Sequence, residues 1–129
     1  MKVCIDSNVY IDMTRGRPAV TGFLADCTEI LVPAAVVAEL ANGLCKANDP
    51  RTQHQALARF LARPGVSVVP ADYAIAMRWG FLAHLLRRKG RPIPVNDVWT
   101  AATAFETASV LLSYDRHFDA IEGLLRLAP

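Results

Sequence analysis

Glu29-Ile30-Leu31-Val32-Pro33-Ala34-Ala35-Val36-Val37-Ala38-Glu39-Leu40-Ala41-Asn42-Gly43-Leu44 changes its hydrophobic period partway along. Glu29 to Val32 is a short apolar, β-branched run, the pattern of a buried strand. Pro33 then suits the first turn of a helix, where the N–H it lacks would go unpaired anyway. From there Val36, Val37, Leu40, Ala41 and Leu44 recur at helical spacing, an apolar stripe down one face. A strand running directly into a helix is the building unit of an α/β protein.

The alternation continues in both directions. Upstream, Lys2 to Ile5 reads as a strand stopped by Asp6, and Pro18 to Cys27 as a short helix. Downstream, Asp49-Pro50 looks like an N-cap and first helical residue, opening a helix to about Arg63. Pro64-Gly65 ends it before a third strand, Val66 to Val69. The longest helical pattern runs from Ala71 to Lys89, with Ile75, Trp79, Leu82, Leu85 and Leu86 on its apolar side, and Gly90, Pro92 and Pro94 break it. Asn96 is placed to cap a further helix carrying Val98, Ala101, Ala102, Phe105 and Ala108. Ser109 to Leu112 forms a fourth strand and Leu124 to Leu127 a fifth. The expectation is one domain over residues 1–129, a three-layer α/β/α sandwich around a parallel sheet of four to five strands.

Composition agrees. At 129 residues, 53% hydrophobic and 20% charged, the chain can bury roughly two-thirds of its unfolded surface. Disordered and collagen-like classes are excluded. No apolar run approaches the ~20 residues that span a bilayer, and Asp6 comes too early for a signal peptide, so a soluble cytoplasmic protein is expected. Cys4, Cys27 and Cys45 lie in apolar runs without a CxxC and read as buried free thiols. The net charge of +2 neither demands nor opposes a nucleic-acid partner.

Four acids stand out by position. In parallel sheets, ligands gather at the carboxyl ends of strands, where strand order reverses. Asp6 follows the first strand directly and Asp115 lies three residues past Leu112. Glu39 falls early in a largely apolar helix, and Asp97 opens the helix with the alanine-rich face. Taken singly, each has an ordinary explanation: an Asx turn at Asp6, solvent exposure at Glu39, a helix-dipole acid at Asp97, a turn at Asp115. Brought together they would repel, which is costly unless a hard divalent cation sits among them. Such an ion can activate water and stabilise displacement at phosphorus.

The segments around these acids resemble the PIN-domain ribonucleases, and within them the VapC-type toxins of toxin–antitoxin pairs. The matching pieces are Val3-Cys4-Ile5-Asp6-Ser7-Asn8-Val9, Ala38-Glu39-Leu40-Ala41-Asn42-Gly43, Asn96-Asp97-Val98-Trp99-Thr100-Ala101-Ala102-Thr103-Ala104 and Leu111-Leu112-Ser113-Tyr114-Asp115-Arg116-His117-Phe118. The resemblance implies an endoribonuclease that uses Mg²⁺ or Mn²⁺, forms a homodimer and is held by a small antitoxin. It makes Asp6, Glu39, Asp97 and Asp115 the acidic site. Asp6 and Asp97 would hold metal, Asp115 would do so directly or through water, and Glu39 would orient or deprotonate the attacking water. Ser7 would hydrogen-bond to the metal's surroundings, and Asn8 would tether the strand end. The family often carries Thr where Ser113 stands, which keeps the hydroxyl. It often has a second acid two residues after the fourth; here that residue is His117, with Asp119 two further on, which leaves a one-metal enzyme open.

Outside the acids, Arg87-Arg88-Lys89-Gly90-Arg91 is the densest basic run, fit either to complement a helix terminus or to meet RNA phosphates. His117 reads as a surface residue or a phosphate contact, and Trp79 and Trp99 as packing residues before base-stacking ones. Val36, Leu40, Leu44, Leu57, Phe60 and Leu61 exceed what one sheet face needs and suggest a partner groove or dimer surface, which an antitoxin tail would cross by resemblance. A catalytically silent binding module of the same fold is the alternative. A phosphoacceptor domain fits poorly, because Asp6 is followed by Ser7-Asn8 and no lysine lies beyond Lys89. If the acids repel, Asp6→Asn should melt no lower than wild type, and ~1 kcal/mol higher at most.

Overall fold

Five parallel strands, β1 (Lys2–Ile5), β2 (Glu29–Pro33), β3 (Val66–Val69), β4 (Val110–Leu112) and β5 (Arg126–Leu127), form one sheet in the order β3-β2-β1-β4-β5 in the computed structural model, which describes residues 1–129. Strand order reverses between β1 and β4, the place where α/β sheets open a crevice at their carboxyl ends. The fifth strand is shorter than the expected Leu124–Leu127 but lies at the expected end of the chain.

The period of the strands divides the core in two. Val3, Ile5, Ile30, Val32 and Leu112 point to one face and pack with Val9, Val36, Leu57 and Phe60. Cys4, Leu31 and Leu111 point to the other and pack with Ile75, Leu82, Val98, Ala101 and Phe118. Successive residues on opposite faces, both covered, are what a three-layer sandwich requires. The helices on the first face are α1 (Ser7–Thr14), α2 (Pro18–Ala25), α3 (Ala34–Leu44) and α4 (Pro50–Leu61); those on the second are α5 (Tyr73–Arg88) and α6 (Val95–Glu106). Ala101, Ala102 and Ala104 of α6 are almost completely buried, so this helix does approach the sheet closely.

Several local expectations are corrected. The turn read at Asp6-Ser7-Asn8 is the start of α1: Asp6 caps it by accepting from the Ser7 N–H at 2.8 Å, and Val9 and Tyr10 bury its inner face. Pro33 ends β2 and stands at the N-cap of α3, one residue before the helix. Asn96 is no cap, because α6 begins at Val95 with Pro94 before it. Ala108 lies beyond α6 in a left-handed conformation, where the Ser109 N–H reaches back to the Ala104 carbonyl and closes the helix end. Leu85 is turned outward. Val36, Leu40, Leu57 and Phe60 belong to the core, with Leu44 and Leu61 packed against it, so these six form no open groove. Of the thiols only Cys4 is buried; Cys27 is half-buried and Cys45 exposed. Trp79 and Trp99 pack on each other, ring centroids 5.6 Å apart.

Candidate active site

The chain folds so that its four singled-out acids come to the same end of the sheet. Asp6 leaves β1 and Asp115 follows β4, the two strands flanking the switch point. Glu39 comes from the second turn of α3 and Asp97 from the first turn of α6. Oxygens of Asp6, Glu39 and Asp97 lie within 4.8 Å of one another. Asp97 also stands within that span of Asp115 and His117, so it is shared by two adjoining groups. Asp115 thus joins the site through Asp97 and His117, and through Ser113, whose hydroxyl also bonds Asp6.

Asp6 is the most firmly built of the four. It is buried, with one carboxylate oxygen accepting from the Ser7 N–H and the other from the Ser113 hydroxyl, both at 2.8 Å. Its own N–H donates to the Leu112 carbonyl at 3.0 Å and ties the ends of β1 and β4. Ser113, which the resemblance marked only as keeping the hydroxyl of the family's frequent Thr, is a hub. Its Oγ donates to Asp6 and accepts from the Asp115 N–H at 3.1 Å, and its N–H and carbonyl bind the Leu127 carbonyl and Arg126. Asn8 is exposed, while Ser7 Oγ donates to Glu39 Oε2 at 3.4 Å.

Repulsion dominates the electrostatics. Unit charges about 5 Å apart repel by roughly 3 kcal/mol at an effective dielectric near 20. Charge-assisted hydrogen bonds of about 1.5–3 kcal/mol each offset this at Asp6. Glu39 has only the long bond from Ser7, and its Oε1 is buried without any partner. Burial pushes the Glu39 carboxyl above its usual range, and the charges of Asp6 and Asp97 push it further. The Asp97 carboxyl is raised for the same reasons, burial first and then Asp6, with His117 pulling the other way. No lysine or arginine lies within 4.0 Å of any of the four acids.

His117, which the sequence reads as a surface residue or a phosphate contact, stands beside the acids. Its Nε2 lies 2.9 Å from Asp97 Oδ2 and its Nδ1 4.0 Å from Asp115 Oδ1. Nε2 is buried and not aligned for a hydrogen bond, although the ring as a whole is 31% exposed. The available signal was its place two residues after Asp115, where the resemblance leads one to look for an acid. Asp119, the other candidate for that role, is turned away: Arg126 grips both its oxygens, at 2.8 and 2.9 Å. The basic run at residues 87–91 is exposed at the end of α5, where Lys89 donates to the Ala120 carbonyl.

The donor set fits a divalent cation. Carboxylate oxygens suit hard ions, and the buried Glu39 Oε1 has no hydrogen-bond partner in the chain.

The chain is 28% identical over 119 residues to Ribonuclease VapC5 of Mycobacterium tuberculosis, covering 92% of this chain and 87% of that one. It is 26% identical over 125 residues to Ribonuclease VapC1 of Haemophilus influenzae, covering 93% and 92%. Its fold matches VapBC2 of Rickettsia felis bound to a promoter DNA fragment, with a TM-score of 0.91 at 20% identity over 100% of this chain and 99% of that one. It also matches the sarcin–ricin loop-cleaving toxin VapC20 of M. tuberculosis, with a TM-score of 0.75 at 16% identity over 99% and 100%. The family model for the PIN domain covers residues 3–124, and the chain belongs to the PIN domain family.

Proposed function

We propose that residues 1–129 act as one metal-dependent endoribonuclease domain, the toxin of a toxin–antitoxin pair working in the cytoplasm. The observation that carries this reading is the convergence of Asp6, Glu39 and Asp97 within 4.8 Å with no lysine or arginine within 4.0 Å. The two ribonuclease relatives, aligned over nine-tenths of the chain, supply the substrate class.

Asp6 and Asp97 would hold Mg²⁺ or Mn²⁺, with Asp115 assisting. The bound ion supplies Lewis acidity at a phosphoryl oxygen and makes water more acidic. Ser7 and Ser113 fix the Asp6 carboxylate so that it needs no reorganisation during reaction. Glu39 orients the attacking water through Oε1 and takes its proton, a role that its raised pKa suits. Water oxygen bonds to phosphorus, one P–O ester bond breaks, and the leaving oxygen is protonated from solvent.

A partner antitoxin would silence the site by placing an arginine or lysine among acids that have no cation of their own. Structural relatives are VapBC complexes, which supports such a partner. The outward face of α5 presents Tyr73, Met77, Phe81 and Leu85, an exposed apolar stripe that supports a homodimer.

The test is cleavage of bacterial total RNA by the purified protein. Discrete fragments should appear with Mg²⁺ or Mn²⁺ and vanish with EDTA or in Asp97→Asn. Cleavage that persists in both would remove the metal site from the mechanism. Folded wild type that binds the ion but cuts no RNA would favour the silent binding module.

A further inference from the structure

We propose that Arg91 and Arg116 form a subsite for an RNA phosphate beside the acid cluster, and that they position the strand without taking part in the chemistry. The inference rests on the reading that Asp6, Glu39, Asp97 and Asp115 serve RNA cleavage.

A cleft of about 350 Å³ is lined on one side by Arg91, Pro92 and Ile93, just after α5, and on the other by the 3₁₀ turn Arg116–Ala120. His117 belongs to its lining and stands 2.9 Å from Asp97, so the cleft adjoins the acids. Arg91 and Arg116 are both exposed, and neither lies within 4.0 Å of a carboxylate. The one acid in the cleft, Asp119, is held by Arg126 through both its oxygens. Two guanidinium groups thus stand next to the acid cluster and pair with none of it.

The backbone fixes both walls. Gly90 ends α5 at φ +69°: its N–H reaches the Arg87 carbonyl at 3.0 Å, and the Arg91 N–H reaches the Leu86 carbonyl at 2.9 Å. These two bonds turn the chain where Arg91 leaves the helix, and Pro92 locks the φ that follows. Lys89 donates to the Ala120 carbonyl at 3.1 Å and fastens the end of α5 to the turn. The basic run therefore contains a tethering lysine and, two residues on, an arginine left over the cleft.

Phosphate is the ligand these groups fit. A guanidinium is always charged and presents parallel N–H donors that match phosphate oxygens. A cation among the acids offsets their repulsion of RNA at the scissile phosphate, and the neighbouring phosphate needs positive charge of its own. Pro92, Ile93 and Ala120 give the cleft an apolar portion for the attached sugar. Its volume stands at the lower end of the range of ligand sites, roughly 300–1,000 Å³.

The test is fluorescence anisotropy of a labelled oligouridylate with the intact protein in EDTA over a series of salt concentrations. Mg²⁺ affinity and total-RNA cleavage are measured on the same preparations. The double variant Arg91→Gln/Arg116→Gln should bind RNA about 10-fold more weakly, the scale of a lost charge-assisted contact. Its slope of log affinity against log salt should fall by about 0.7, the share of one single-strand phosphate. Arg91→Lys/Arg116→Lys should recover the slope and only part of the affinity, because the charge returns without the fork. Mg²⁺ affinity should stay the same, and cleavage should slow at low RNA and recover at saturating RNA. Arg63→Gln, at an unpaired arginine near the opposite end of the sheet, should match wild type throughout. All three arginines are exposed, so these variants should fold as wild type does. An unchanged affinity and slope in the double Gln variant, an equal loss in Arg63→Gln, or no binding of RNA by wild type overturns the subsite and leaves the metal site standing. Wild type that binds RNA through the two arginines but cuts none with Mg²⁺ overturns the cleavage reading instead.

Discussion

Carboxylates in this protein are treated in two different ways. Around the periphery they are neutralised: Asp12 pairs with Arg17 at 3.2 Å, Glu106 with Arg78 at 2.8 Å, and Asp119 with Arg126 at 2.8 Å. At the carboxyl end of β1 and β4, Asp6, Glu39, Asp97 and Asp115 gather with no guanidinium or ammonium within 4.0 Å, and only His117 beside them. Asp115 and Asp119 make the contrast sharpest, since four residues apart one is left to the site and the other is clamped. A chain with 14 basic residues does not lack cations to place here. An uncompensated cluster of this kind is what the proposed metal site requires, since its compensating charge would come from outside.

The comparison breaks most completely if Asp97, the shared residue, can be spared. Asp97→Asn is expected to reduce divalent-cation affinity and RNA cleavage by at least about 100-fold, since even outer partners of a metal site cost about 10–100-fold. Titration and cleavage assays on one preparation check both.

Next in size is the scaffold beneath the acids. Ser113→Ala leaves a buried Asp6 oxygen and the Asp115 N–H without their partner. It should cost about 1–3 kcal/mol of stability, seen as a lower midpoint in urea unfolding. For the same reason the relief expected of Asp6→Asn does not follow: Asp6 is the one acid whose charge is already hydrogen-bonded and which caps α1.

Relief belongs at Glu39. Glu39→Gln should raise the Tm of the metal-free protein at neutral pH, by about 1 kcal/mol or less in free energy. Because the folded-state pKa of Glu39 lies above its ordinary 4.5, the folded protein holds this proton more tightly. Its contribution to stability is complete below the ordinary value and is lost as pH rises through the raised one. The stability gap between Glu39→Gln and wild type should therefore widen from acid towards neutral pH, and close when Mg²⁺ is added. A gap independent of both pH and metal would mean that Glu39 is not held against neighbouring charge.

The smallest effect is expected at the periphery. Asp119→Asn should leave the urea midpoint nearly unchanged, since Asp119 is 55% exposed, and should leave cation affinity unchanged. A loss of affinity there would place Asp119 in the site and erase the contrast with Asp115.

Much of this arrangement can be read from the chain. Short β-branched runs alternating with longer apolar stripes specify a parallel sheet, and residues just past β1 and β4 must then emerge at its carboxyl end. Asp6 and Asp115 are placed by that rule, and Asp97 by the alanine face of α6. What the residue pattern leaves open depends on contacts distant in sequence. Ser7–Thr14 has weak helical propensity and is made helical by the Asp6 cap and by burial of Val9 and Tyr10. The alliance of Arg126 with Asp119 links a strand to a 3₁₀ turn, with no periodicity to announce it. His117 is one of three isolated histidines in the chain, and only the fold turns it toward Asp97.

Calorimetric titration of wild type and Asp97→Asn with Mg²⁺ at neutral pH, with folding verified by circular dichroism, addresses the acid cluster most directly and requires no knowledge of the RNA. Saturable binding to wild type, absent from an equally folded Asp97→Asn, is the predicted result. Equal binding to both proteins, or none to a folded wild type free of any partner, would contradict the account of these carboxylates as a metal site.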